Sequence, residues 1–162
     1  MKKIGLLSDT HGYINDDILH HLKLCDEIWH AGDFGSLEVI EKLSAIKPLR
    51  GVYGNIDGTK IKALFPENLI FNIEGLNIMM QHIGGYPGKY VKGIKEKIIE
   101  NEIKLFISGH SHILKIMYDN KLNCLHMNPG AAGKQGWHTK RTLIKFEVDN
   151  DKFSNCEVVE LN

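Results

Sequence analysis

The chain has 162 residues, 43% of them hydrophobic and 25% charged, with twenty basic side chains balancing twenty acidic ones. These values indicate one globular domain over residues 1–162, able to bury roughly 70% of its unfolded surface without help from a disulfide or structural metal. The even charge argues against non-specific attraction to nucleic acid or an anionic membrane, and the three cysteines (Cys25, Cys124, Cys156) fit reduced thiols rather than a disulfide framework. No apolar run approaches the length of a signal core or a membrane span, so the expectation is a soluble, cytoplasmic protein.

The run KIGLLS (3–8), stopped by polar residues, predicts a buried parallel strand. INDDILHHLKLC (14–25) spaces Ile14, Ile18, Leu22 and Cys25 as a helix does. Asn15, Asp16 and Asp17 fall in its first turn, where carboxylates suit the helix dipole. EIWHAGD (27–33) reads as a second strand, SLEVIEKLSAI (36–46) as a helix opened by a Ser36 cap, and PLRGVYGN (48–55) as a third strand. This alternation argues for βαβ units around a parallel sheet. LIFNIEGLNIMMQHI (69–83) predicts a hairpin turning at Glu74-Gly75. GKYVKGIKEKIIENE (88–102) predicts a helix, and KLFISGHSH (104–112) begins as another buried strand. ILKIMYDNKLNCLHMNPG then reads as strand, turn, strand, and RTLIKFEV and FSNCEVVEL pair around Asp-Asn-Asp. The fold class is therefore α/β, with two sheets packed face to face and helices outside.

The chemistry-bearing residues stand just beyond strand ends. Asp9 and His11 follow the first strand, Asp33 the second, Asn55 and Asp57 the third; His82 closes the hairpin, and His110 and His112 follow KLFIS. That edge of an α/β sheet is where ligands bind, because its loops hang from a rigid scaffold. Asp9, His11, Asp33, Asn55, His82, His110 and His112 form an oxygen and nitrogen donor set without cysteine. Such a set favours Mn²⁺, Fe²⁺, Zn²⁺ or Ni²⁺ over thiolate-bound zinc. Seven donors exceed the needs of one tetrahedral ion and suit two ions sharing a carboxylate, an arrangement used on phosphate esters. Taken singly the clusters are weak: HAGD alone reads as a turn with a capping Asp, whereas two histidines one residue apart in GHSH have little structural use. His20 and His21 lie inside a helical pattern and receive no role, and His126 and His138 stay open. Lys89, Lys92, Lys95 and Lys97, balanced by Glu96 and Glu100, read as a solvated helix face rather than a nucleic-acid surface.

The segments SDTHG (8–12), HAGD (30–33), GNID (54–57), QHIGG (81–85), GHSH (109–112) and NPGA (128–131) resemble the calcineurin-like metallophosphoesterase superfamily. The likeness is greatest to its small single-domain prokaryotic phosphodiesterases, relatives of a eukaryotic retromer subunit. The resemblance implies a four-layer αββα sandwich, two mixed sheets with flanking helices. It implies a first metal on Asp9, His11 and His112, a second on Asn55, His82 and His110, and Asp33 bridging the two. Asp57 and His30 would support these ligands from behind. The ions would be divalent, Mn²⁺ foremost, and a hydroxide between them would attack phosphorus in line with the leaving oxygen. Asp33, Asn55 and His82 would then serve catalysis by placing that hydroxide and the phosphate. The implied substrate is a small phosphodiester, with nucleic acid disfavoured; a homo-oligomer is compatible. The alternative is a catalytically weak or inactive metal-binding scaffold on the same fold. Many members of the superfamily carry a histidine acid where this chain has Ile56, and QHIGG replaces the commoner Thr-His-Gly.

Overall fold

The computed structural model describes residues 1–162. Its first half contains β1 (Lys2–Leu7), α1 (Asp16–Lys23), β2 (Glu27–His30), α2 (Leu37–Ile46), β3 (Leu49–Gly51), α3 (Thr59–Lys62), β4 (Asn68–Ile73) and β5 (Leu76–Gln81). There follow β6 (Gly85–Tyr86), β7 (Lys89–Tyr90), α4 (Ile94–Glu100), β8 (Leu105–Ile107), β9 (Leu114–Asp119), β10 (Cys124–Pro129), β11 (Arg141–Asp149) and β12 (Lys152–Leu161). The strands form two five-stranded mixed sheets, β12–β11–β1–β2–β3 and β4–β5–β8–β10–β9, with β6–β7 a separate ribbon. Within them β1, β2 and β3 run parallel, as do β5, β8 and β10. β11 runs antiparallel to β1, β12 to β11, β4 to β5 and β9 to β10.

Alternation along the strands sorts the side chains into layers. Ile4 and Leu6 face Ile78, Met80, Leu105 and Ile107 of the other sheet in the largest core cluster, where Trp29 is fully buried. Leu7 and Ile28 point the other way, against Ile18 and Leu22 of α1 and Val39 and Leu43 of α2. Gly5 allows α1 to approach, since a Cβ there would collide with Leu22. On the far side, Ile94 and Ile98 of α4 pack on Met79 and Phe106. The result is the αββα sandwich. No helix is long and apolar enough to cross a membrane.

Local differences from the sequence reading have physical causes. Asn15 is the cap of α1, its Oδ1 accepting the Ile18 amide at 3.0 Å, so the helix starts at Asp16. Ser36 occupies the cap position of α2 but its hydroxyl makes no capping bond. The helix predicted over 88–102 shrinks to Ile94–Glu100, because Gly88 and Gly93 adopt φ of 89° and 93° and Lys89–Tyr90 pairs with Gly85–Tyr86 instead. The third strand ends at Gly51, leaving Gly54 and Asn55 in a loop. The Glu74-Gly75 turn does form, with both residues at positive φ, as a two-residue hairpin requires.

Candidate metal centre

The loops that leave the parallel strands of both sheets are stitched to one another by backbone bonds. Asp9 N donates to Gly32 O, His11 N to Asp33 O, Gly109 N to His82 O and Gly133 N to Asp9 O. Asp9, His11, Asp33 and His82 are thereby fixed against neighbouring loops rather than left free.

Asp9 divides its two oxygens. Oδ2 accepts the Ser8 hydroxyl at 2.6 Å and the His110 amide at 3.1 Å, tying the first sheet to the second. Oδ1 is buried without a hydrogen bond of sound geometry, although His112 Nε2 lies 3.1 Å away and His11 Nε2 3.7 Å. Asp33 does the same: Oδ1 accepts the Ile56 amide at 3.0 Å, while Oδ2 faces His82 Nε2 at 3.1 Å and His11 Nε2 at 3.5 Å. His82 Nδ1 lies 2.7 Å from the Ala31 carbonyl. A carbonyl only accepts, so Nδ1 carries a proton and Nε2 is the nitrogen left to face the centre, the orientation that metal-bound histidines use. His110, the exposed member, has Nδ1 3.0 Å from Asn55 Oδ1.

Two donor groups emerge, Asp9 with His11 and His112, and Asp33 with His82 and His110, each with its ligand atoms within 4.8 Å of one another. Asp9 Oδ1, His11 Nε2 and His82 Nε2 are buried polar atoms with no partner in the protein. Leaving such atoms unsatisfied costs about 1–3 kcal/mol each. Divalent cations fit this set, because it supplies carboxylate oxygens and imidazole lone pairs converging on shared space.

The electrostatics agree. Burial alone would raise the Asp9 carboxyl, but the adjacent His11 and His112 imidazoles, the nearby His82 and the Ser8 hydroxyl together hold it well below the usual range. The Asp9 carboxylate beside it raises His11. Burial opposes a charge on His82, yet Asp33 and Asp9 outweigh it and raise that ring too. A field that draws protons onto these imidazoles also draws a cation.

Asp9, His11, Asp33, His110 and His112 have φ between 46° and 73°. Non-glycine residues in that left-handed region carry about 1–3 kcal/mol of strain each and gather at functional sites. The two supporting residues act on the backbone. Asp57, only 3% exposed, accepts amide hydrogens from Asp33, Phe34, Gly35 and Gly54, and so shapes the Asp33 loop around its carboxylate. His30 is fully buried, stacked 3.8 Å from Phe34; burial lowers its pKa to about 3 and keeps it neutral. Its Nδ1 accepts the Gly32 amide, and its Nε2 lies 3.0 Å from Thr10 Oγ1, so it joins the Asp9–His11 and Asp33 loops without touching either carboxylate. Gly54 is needed because any Cβ would overlap Asp33 Oδ1.

Three further contributors had no role assigned from the sequence. Ser8 positions Asp9. Asn128 donates to Gly109 O and Ser111 Oγ, bracing the GHSH loop from the NPGA segment. His138 packs edge-on 5.2 Å from His112, with Nε2 2.8 Å from Gly133 O. The NPGA match signals Asn128, but no spacing in GKQGWHTKR marks His138.

The chain matches the calcineurin-like phosphoesterase superfamily domain over residues 1–151, and it belongs to that family. It is 27% identical over 163 residues to a probable metallophosphoesterase of Methanothermobacter thermautotrophicus, covering 96% of this chain and 91% of that protein. Among solved structures it is similar to wild-type Vps29 of Entamoeba histolytica complexed with Zn²⁺, with a TM-score of 0.76, 17% identity and 99% of both chains covered. It is likewise similar to Yfce, a phosphoesterase from E. coli, with a TM-score of 0.63, 16% identity, and 99% of this chain and 100% of that one covered. At these identities the structural likenesses speak for the fold. Membership of the family makes the chain a phosphoester hydrolase of the metal-binding kind.

Proposed function

We propose that the chain is a phosphodiesterase that works with two divalent ions, the whole of residues 1–162 acting as one domain in the cytoplasm. Asp9, His11 and His112 would hold one ion, Asn55, His82 and His110 the other, and Asp33 would lie between them. The observation that carries this reading is the position of the Asp33 carboxylate. Its Oδ2 is 3.1 Å from His82 Nε2 and 3.5 Å from His11 Nε2, one histidine of each group. Mn²⁺ stands first among the ions that suit the donors, with Fe²⁺, Zn²⁺ and Ni²⁺ behind it.

When bound, such ions supply Lewis acidity that makes water nucleophilic at neutral pH and offsets charge on phosphate. The protein's share is positioning. Asp57 and the Ile56 amide hold Asp33, Ala31 fixes the His82 ring, and Ser8 with His110 N aligns Asp9. The Asn55 amide NH₂ would donate to a phosphoryl oxygen. Overall, water adds across one P–O bond: its oxygen stays on phosphorus, and the ester oxygen leaves as an alcohol carrying one proton. Ile56 cannot deliver that proton, which favours small diesters with acidic leaving groups or passes the task to water at the centre or to a group of the substrate.

A metal-binding scaffold is the second reading. Ile83, Ile113 and Trp137 stand in the loops that carry His82, His112 and His138, at 42%, 61% and 101% exposure, an apolar rim that a protein partner could cover. Hydrolysis separates the two. With Mn²⁺, turnover of bis-p-nitrophenyl phosphate should exceed that of p-nitrophenyl phosphate by about tenfold or more, a difference of some 1.4 kcal/mol in barrier. A monoester preference would overturn the diesterase reading, and no turnover with any of the four ions would favour the scaffold.

A further inference from the structure

Next to His110 the protein has a cavity of about 300 Å³, the lower end of the range for small-ligand pockets. The β6–β7 ribbon forms one wall with Tyr86, and β9 and β10 contribute Lys115 and His126. No acidic residue lines it. The Lys115 ammonium lies 3.6 Å from the centre of the Tyr86 ring and forms no ion pair. A cation–π contact therefore holds this charge in place without neutralising it. Ser111 Oγ already accepts two hydrogen bonds, from the Ile113 amide and Asn128 Nδ2, so its own hydrogen is left to donate. His126 donates Nδ1–H to Phe106 O at 3.0 Å; burial and the neighbouring Lys115 lower its pKa to about 4 and keep the ring neutral.

We propose that this cavity receives the leaving alcohol, and that Lys115, braced by Tyr86, selects phosphodiesters whose alcohol carries a second anionic group. The inference rests on the phosphodiesterase reading. It follows from the juxtaposition of an unpaired ammonium, a spare hydroxyl donor and a wall free of carboxylates beside a phosphate-binding centre. An anion there gains a partner that no protein group provides, whereas a neutral alcohol leaves the ammonium as it was.

Two esters with nearly equivalent leaving groups test this: methyl 4-nitrophenyl phosphate and methyl 3-carboxy-4-nitrophenyl phosphate. The Mn²⁺-loaded wild type should favour the carboxylated ester by about tenfold in kcat/KM. Lys115→Met should erase that preference while keeping the ester that lacks the carboxylate within about twofold, Lys115→Arg should retain it, and Tyr86→Leu should weaken it. An equal ratio in wild type and Lys115→Met would overturn the proposal.

Calorimetric titration gives a readout that needs no turnover. The Mn²⁺-loaded wild type should bind 3-phosphonopropionate or propane-1,3-diphosphonate about tenfold more tightly than propylphosphonate, and Lys115→Met should not. The stronger of the two ligands with a second anionic group identifies that group as carboxylate or phosphate. If neither ester is hydrolysed, the phosphodiesterase reading falls, and the titration still decides whether Lys115 recognises the second anion. Equal affinities for all three compounds would reject it.

Discussion

Asp33→Asn and His112→Ala should each abolish Mn²⁺-dependent hydrolysis of bis-p-nitrophenyl phosphate, lowering kcat/KM by about 10³-fold or more. The expectation is large because a divalent ion supplies several kcal/mol of charge stabilisation, and each 1.36 kcal/mol is a factor of ten in rate. The two changes attack different links. Asp33→Asn keeps the size of the side chain and an oxygen for the Ile56 amide, but it removes the charge facing His11 and His82. His112→Ala removes the nitrogen 3.1 Å from Asp9 Oδ1 and leaves that buried oxygen with one neighbour fewer. Circular dichroism and thermal melting of the metal-free proteins would show whether folding is retained. Undiminished turnover in either variant would contradict the role given to that residue.

Ile56→His should raise the rate on diesters of poorly acidic alcohols by about 10²-fold, the lower end of what a positioned general acid contributes. Esters of p-nitrophenol should change little, since that phenolate departs without a proton. The position is suited to the change: Ile56 is 46% exposed, and its amide already contacts Asp33 Oδ1. The substitution therefore adds a donor on the loop against the centre without emptying the core. The measurement is the dependence of log(kcat/KM) on leaving-group pKa, which should be steep for the wild type and shallower for Ile56→His. Identical slopes would show that position 56 does not face the leaving oxygen.

Much of the architecture was legible because apolar runs of three to six residues end abruptly in polar ones, as in KIGLLSD and KLFISGH. Each such ending marked both a parallel strand and a loop with donor residues. The structure brings those loops to one edge. Less legible was anything decided by backbone conformation. The periodicity of 88–102 reads as a helix, but left-handed Gly88 and Gly93 divide it into a ribbon and a short helix, and the ribbon supplies Tyr86. The positive φ values at Asp9, His11, Asp33, His110 and His112 went unread, although Asp and His enter that region more readily than most residues, because residue type alone does not say where it happens. Contacts formed across the fold were hidden for the same reason, among them His138 against His112 and Lys115 against Tyr86. Asp57 was noticed, but its part as acceptor for four amides depends on the closing of two loops around it.

The most direct test of the two-ion account is metal titration of the chelator-stripped protein, with bound Mn²⁺ and hydrolysis of bis-p-nitrophenyl phosphate followed in the same samples. The account predicts two ions per chain, with full turnover reached only when the second is bound. One ion at saturation, or hydrolysis that survives removal of all metal, would contradict it.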